Sequence, residues 1–234
     1  MFNGIKVIGF DADDTLWVNE PYFRETERAV IHLLSDYMNE EALSQRLFET
    51  EMGNLANYGY GAKSFVLSLV ETALKVSDYR VPQETIGKIL ELGKELLNKP
   101  VVLLDGVRDA LDSLYSINYR LILATKGDLL DQQRKLSRSG LEGYFHHIEV
   151  MSDKKEEDYT NLLHHLDIRA EEFLMVGNSV KSDILPVLGI GAKAVHVPYH
   201  TTWAHEEIDP DGQHEIVTVE RIDEVPKLLN GNRP

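Results

Sequence analysis

The feature that most limits the fold of this chain is a regular alternation of short apolar strands with amphipathic helices, which sets in after Asp105-Gly106. A helix carrying Val107, Ala110, Leu111 and Leu114 leads into the strand Arg120-Leu121-Ile122-Leu123-Ala124. A helix from Asp128, a short strand around Ile148-Glu149-Val150 and a helix bearing Tyr159, Leu162, Leu163 and Leu166 come next. The strand Phe173-Leu174-Met175-Val176, a short helix from Ile184 to Leu188 and the strand Ala194-Val195-His196-Val197 complete the series. Most of these strands are apolar without a polar alternate, so both of their faces must be covered, as in a parallel sheet between two layers of helix. Ile5-Lys6-Val7-Ile8-Gly9-Phe10 reads as one more strand of the same sheet.

Between that first strand and Asp105 the period is helical throughout. Phe23, Val30, Leu33, Leu34 and Tyr37 share one face, with Pro21 tolerated in the first turn. Val66, Leu69, Val70, Ala73 and Leu74 mark a second segment. A third opens at Pro82, carries Ile86, Ile89, Leu90, Leu96 and Leu97, and stops at Pro100. Asn57-Tyr58-Gly59-Tyr60-Gly61 reads as a loop. The expected fold class is therefore α/β: a three-layer, Rossmann-like parallel-sheet core with an inserted all-helical domain. Residues 1–17 and 105–234 are assigned to the core and 18–104 to the insertion.

Composition removes several function classes. Lysine and arginine total 24 against 39 acids, so 24 − 39 gives −15 with histidine neutral. That charge repels nucleic acid and anionic membranes at long range, and neither is expected as a partner. With no cysteine, disulfides and thiol catalysis are excluded. No run approaches the roughly 18 apolar residues of a spanning helix, and the chain is read as soluble and cytoplasmic.

Ligands of open parallel sheets bind beyond the carboxyl ends of the strands, so the residues that follow each strand carry the functional reading. Asp11 and Asp13 follow the first, with Thr15 beyond. Two carboxylates this close repel unless a cation joins them or one keeps its proton. An EF-hand loop is disfavoured, since Leu16 stands where glycine is needed and Tyr22 where the bidentate glutamate is needed. Thr125 and Lys126-Gly127 end the second strand, where a hydroxyl and backbone N–H groups can hold phosphate oxygens. Lys154 and Lys155 follow the third, and Gly177-Asn178-Ser179-Val180-Lys181-Ser182-Asp183 the fourth. Each group alone reads as a turn, a helix cap or a solvated face; acids, hydroxyl, lysine, amide and acid in order at successive strand ends do not.

Asp11-Ala12-Asp13-Asp14-Thr15-Leu16-Trp17 resembles the first motif, Asp-x-Asp-x-Thr, of the haloacid dehalogenase-like hydrolase superfamily. Leu123-Ala124-Thr125 resembles its second motif, Lys154 its third, and Gly177-Asn178 through Asp183 its fourth. The inserted helices are similar to the cap of the subgroup that includes haloacid dehalogenases and phosphoglycolate phosphatases. The resemblance implies that Asp11 attacks a phosphate monoester and becomes an aspartyl-phosphate, with Asp13 protonating the leaving alcohol and later deprotonating water. Crowding of Asp13 by Asp11 and Asp183 is expected to favour the protonated acid. Thr125, Lys126 and Lys154 would hold phosphate, with Thr15 beside them. Mg²⁺ would be bound by Asp11, the Asp13 carbonyl, Asn178 and Asp183.

Two positions depart from the pattern: Asn178 replaces an acid of the fourth motif, and Lys154 is followed by Lys155 instead of proline. Lys154 is preferred as the site lysine by its spacing to Tyr159. The expected substrate is a small phosphorylated metabolite, and the chain is expected to be a monomer or homodimer. A haloacid dehalogenase, a sugar-phosphate mutase and a non-catalytic binding module are the alternatives. Tyr60 and Lys63, beside two glycines, are the candidates for contact with the leaving group. His200, Trp203 and His205 are read as a surface loop.

Overall fold

The computed structural model describes residues 2–206 and 215–229. In chain order it forms β1 (Val7–Phe10), α1 (Glu20–Leu33), α2 (Glu40–Tyr58), α3 (Ala62–Val76), α4 (Gln83–Leu97) and α5 (Val107–Ser116). These are followed by β2 (Arg120–Lys126), α6 (Leu129–Ser139), β3 (His147–Met151), α7 (Glu156–Leu166), β4 (Phe173–Gly177), α8 (Leu185–Gly189), β5 (Lys193–His196), β6 (Val217–Thr218) and α9 (Val225–Leu229). The six strands make one sheet, ordered β3-β2-β1-β4-β5-β6. β1 pairs in parallel with both β2 and β4, placing Phe10 opposite Leu123 on one side and Val176 on the other.

Side-chain alternation explains why these strands are apolar throughout. Leu121 and Leu123 of β2, with Leu174 and Val176 of β4, pack into a core shared with Leu111 and Leu114 of α5 and Val225 of α9. Their neighbours Ile122, Ala124, Phe173 and Met175 face the opposite core, built with Tyr159, Leu162 and Leu166 of α7 and Val187 of α8. A residue of either parity is thus removed from water, worth on the order of 25 cal/mol per Å² of apolar surface. β6 was not expected from the sequence; at two residues it is too short to show a period.

The chain divides into two compact units: Met1–Glu20, Val101–Thr125 and Arg134–Pro234 form the first, Pro21–Pro100 and Lys126–Gln133 the second. The second unit is helical, with its own core of Val30, Leu34, Leu43, Leu47, Phe65, Leu69, Ala73 and Ile89. Its helix α2 replaces what the sequence reading left without an element, and takes Asn57 and Tyr58 out of the expected loop. The buried face of α2 is Leu43, Leu47, Thr50 and Asn54, half of it polar, so its apolar stripe fades midway. Asn54 is satisfied inside by Ser68 Oγ at 3.1 Å and Glu71 Oε2 at 2.8 Å. No described helix is long and apolar enough to cross a membrane.

Candidate active site

Because β1 lies between β2 and β4, the residues after it emerge between the ends of both neighbours. The chain turns at once: Leu16 N–H donates to the Ala12 carbonyl at 2.8 Å and Asp14 N–H to the Trp17 carbonyl at 2.7 Å. Asp14 adopts φ 60°, a left-handed conformation that aspartate tolerates, and its side chain faces the start of α1. There it accepts from the N–H of Asn19 at 2.8 Å and of Glu20 at 2.9 Å, so the capping role open to this acidic turn falls to Asp14. Burial pushes the Asp14 carboxyl up to about 8, with those two N–H groups pulling the other way.

Asp11, buried at the mouth of β1, is held by two neighbours. Lys154 Nζ donates to Asp11 Oδ1 at 2.5 Å and to Asp183 Oδ1 at 2.6 Å, with 1% of the lysine side chain exposed. The ammonium thus resolves the repulsion between two buried carboxylates. Burial pushes the Asp11 carboxyl up to about 7 while Lys154 draws it down. For Lys154, burial disfavours the charge, yet the two acids hold the ammonium well above the ordinary lysine range. Lys155, by contrast, is 75% exposed and pairs with Asp153 at 2.8 Å.

The loop after β4 supplies the other half. Asp183 Oδ2 accepts from Ser179 N–H at 3.0 Å, and Ser179 Oγ in turn accepts from Ser182 N–H at 3.0 Å. Gly177 is required here, because a Cβ on it would overlap the Asp183 carboxylate. Thr15 Oγ1 lies 3.1 Å from both Asp11 Oδ2 and Asn178 Oδ1, and accepts from Asn178 N–H at 3.1 Å. Thr15 thus ties the Asp11 carboxylate to both the backbone and the side chain of Asn178. Carboxylate and amide oxygens are the donors that Mg²⁺ takes. Among the described residues no three His, Cys, Asp or Glu side chains gather as a metal-ligand set.

Asp13 stands near enough to Asp11 for its charge to raise the Asp11 carboxyl. Its own carboxylate accepts from Trp17 Nε1 at 2.7 Å and from Lys135 Nζ at 3.0 Å on both oxygens. Lys135 was not singled out in the sequence; it lies two turns into α6, one position before the core residue Leu136. Glu206 was missed as well: it accepts from Ser179 Oγ and from Ser182 Oγ, bracing the loop from a single turn at Ala204–Glu206. That turn lies in the expected surface loop, whose His205 is tied to Lys181 through its carbonyl at 2.7 Å. His196 Nε2 stands 3.0 Å from the Asn178 carbonyl, so that nitrogen carries the proton, and burial lowers the basicity of the ring.

Thr125 is buried at the end of β2 in the first unit. The remaining candidates group within the second unit: Lys126 Nζ lies 4.2 Å from the centroid of the Tyr60 ring, and Lys63 Nζ 2.9 Å from Asp128 Oδ2. The first unit therefore gathers Asp11, Asp13, Thr15, Lys154, Asn178 and Asp183 with Lys135, and the second gathers Tyr60, Lys63 and Lys126 with Asp128.

A buried aspartate beside a lysine and a second acid at the centre of a parallel sheet can serve as a nucleophile whose charge is balanced until an electrophile arrives. Known proteins are similar to the chain along most of its length. The chain is 36% identical to a haloacid dehalogenase-like hydrolase from Xanthomonas campestris, whose crystal structure superposes with a TM-score of 0.86 over 97% of this chain and 91% of that one. It is 22% identical to the glyceraldehyde 3-phosphate phosphatase of Methanothermobacter thermautotrophicus, over 96% of this chain and all of that one. To the N-acylneuraminate-9-phosphatase of Mus musculus it is 26% identical, over 81% of each. The model of the haloacid dehalogenase-like hydrolases matches residues 5–190, and the chain belongs to that family.

Proposed function

We propose that this hydrolase is a phosphatase that cleaves a small phosphorylated metabolite through an aspartyl-phosphate on Asp11. The observation that carries the reading is the pair Asp11 and Asp13, each held by its own lysine, Lys154 and Lys135. A dehalogenase needs the nucleophile but no acid two residues on, whereas a phosphatase must protonate an alkoxide and then deprotonate water. The two relatives named as phosphatases point the same way.

In this reading Asp11 Oδ attacks phosphorus, and the ester oxygen leaves with a proton from Asp13. Asp13 then takes a proton from the water that displaces Asp11. Lys154, with Thr125 and Lys126, holds the phosphoryl oxygens, and the lysine offsets charge as it develops. Asp11, the Asp13 carbonyl, Asn178 and Asp183 would hold Mg²⁺, with Thr15 fixing Asp11 against Asn178. When bound, the ion screens substrate from acids in a chain of charge −15. Discrimination among esters is assigned to Tyr60 and Lys63, in a helical unit acting as the cap. The chain works in the cytoplasm as a monomer or homodimer.

The test is phosphate release from p-nitrophenyl phosphate and a panel of phosphorylated metabolites, with and without Mg²⁺. Metal-dependent release that disappears in Asp11→Asn supports the reading; chloride release from a 2-haloacid in its place refutes it.

A further inference from the structure

We infer that Glu206 is a positioning residue for the metal end of the site: through Ser179 and Ser182 it fixes the Asp183 carboxylate, and with it the affinity for Mg²⁺. This rests on the Mg²⁺-dependent phosphatase reading above. The topology brings the two segments together. β5 runs parallel to β4 with His196 opposite Gly177, so the chain leaving β5 emerges beside the loop that carries Asn178 and Asp183. The turn at Ala204–Glu206 is closed by Glu206 N–H, which donates to the Trp203 carbonyl at 2.8 Å. Lys181 Nζ fastens the loop to the same turn through the His205 carbonyl at 2.7 Å.

One oxygen, Glu206 Oε2, accepts from both serine hydroxyls, Ser179 Oγ and Ser182 Oγ. With its proton sent to Glu206, Ser179 Oγ presents a lone pair to Ser182 N–H at 3.0 Å. Tyr159 holds Ser182 as well, its hydroxyl donating to the Ser182 carbonyl at 3.1 Å. The position of Asp183 follows from these ties. Its N–H donates to the Ser179 carbonyl at 2.8 Å, and its Oδ2 accepts from Ser179 N–H at 3.0 Å. Ser179, Ser182 and Asp183 are all buried, so a serine that loses its acceptor must rotate or leave a buried hydroxyl unsatisfied.

The direction of Asp183 carries unusual weight in this chain. With an amide at Asn178, Asp11 and Asp183 are the only charged side chains in the proposed Mg²⁺ set of Asp11, the Asp13 carbonyl, Asn178 and Asp183. Groups that orient metal ligands from outside typically contribute about 10- to 100-fold in metal affinity. Glu206 is placed to act in that way, through the two serines.

Calorimetric titration of Mg²⁺ into wild type, Glu206→Ala and Glu206→Gln reads the affinity without turnover. Glu206→Ala should weaken Mg²⁺ binding by about 10-fold. Glu206→Gln loses the charge but keeps an oxygen with two lone pairs for the two hydroxyls, and should stay within about 3-fold of wild type. The same order should appear in the Mg²⁺ concentration that gives half-maximal phosphate release from p-nitrophenyl phosphate. There kcat at saturating Mg²⁺ should hold within about 3-fold, since the loss is one of occupancy. Should Glu206→Ala not fold, Ser182→Ala, which removes one of the two donors, must weaken Mg²⁺ binding in the same direction with smaller amplitude. Wild-type affinity in Glu206→Ala overturns the inference. So does a Glu206→Gln as weak as Glu206→Ala, which would assign the effect to the carboxylate charge. Wild-type protein that binds no Mg²⁺ overturns the metal reading and this inference with it.

Discussion

Replacing Lys154 with methionine keeps much of the side-chain volume and removes the charge between Asp11 and Asp183. Its ammonium lies 2.5 and 2.6 Å from those carboxylates, and 1% of the side chain of both Lys154 and Asp183 is exposed, so water cannot take its place. Breaking a buried ion pair on one side typically costs about 3–5 kcal/mol. The loss must depend on pH, with a definite sign. Burial already holds Asp11 at about 7, above its unfolded 3.8, and without the ammonium it moves higher. A carboxyl raised on folding contributes most below its unfolded pKa and loses stability as pH climbs to its folded one. Wild type stops losing stability through this group near pH 7, whereas the variant continues. One retained proton corresponds to about 1.4 kcal/mol per pH unit, so the gap between the proteins should widen as pH rises above 7 for as long as the variant keeps that proton. Urea unfolding followed by tryptophan fluorescence and circular dichroism at pH 6, 7, 8 and 9 measures it. A gap below about 1 kcal/mol at pH 8, or one that is flat or narrows with rising pH, would refute the account of the site as an acid pair neutralised by Lys154.

Gly177→Ala should destabilise the first unit by about 1–3 kcal/mol through overpacking against Asp183, and weaken Mg²⁺ binding measured by calorimetry, since the displaced carboxylate faces Lys154. Lys63→Ala removes an exposed pair with Asp128, so the unfolding free energy from urea titration should fall by no more than about 1 kcal/mol. If Lys63 discriminates among esters, its KM for a panel of phosphate esters must nevertheless change; identical KM and kcat across the panel would remove it from the site.

Much of the core was legible because its signals are local. The central strands β1, β2 and β4 announce themselves by apolar runs, and the residues at or after the strand ends are fixed by chain order, which is how Asp11, Thr125, Lys154 and Asn178 could be named. Side-chain partners chosen across the fold leave no such trace. Lys135 sits mid-helix among Gln132, Gln133, Arg134 and Arg138, where one of several cations turns inward. The contacts of Asp13 with Trp17 and Lys135 left no local trace for the same reason. Glu206 follows a run of histidine, threonine and tryptophan with no regular period, so nothing local ties it to Ser179 and Ser182. The polar half of the α2 face hid that helix by the same logic, since Thr50 and Asn54 look solvated until Ser68 and Glu71 are brought beside them.

The central place of β1 also sets an order of assembly. Asp11 meets Lys154 across 143 residues of chain, and Thr15 meets Asn178 across 163. Such distant closures carry a larger entropic cost than the local helices and are expected to follow them. A chain still being synthesised that has not yet produced Lys154 carries Asp11 without its counterion. In that state the aspartate is solvated, and its desolvation waits for the segments after β3 and β4, which supply Lys154 and Asp183. The reactive carboxylate is thus created by the last steps of folding, and a truncated chain holding only the first motif would have the residues of a nucleophile with none of its environment.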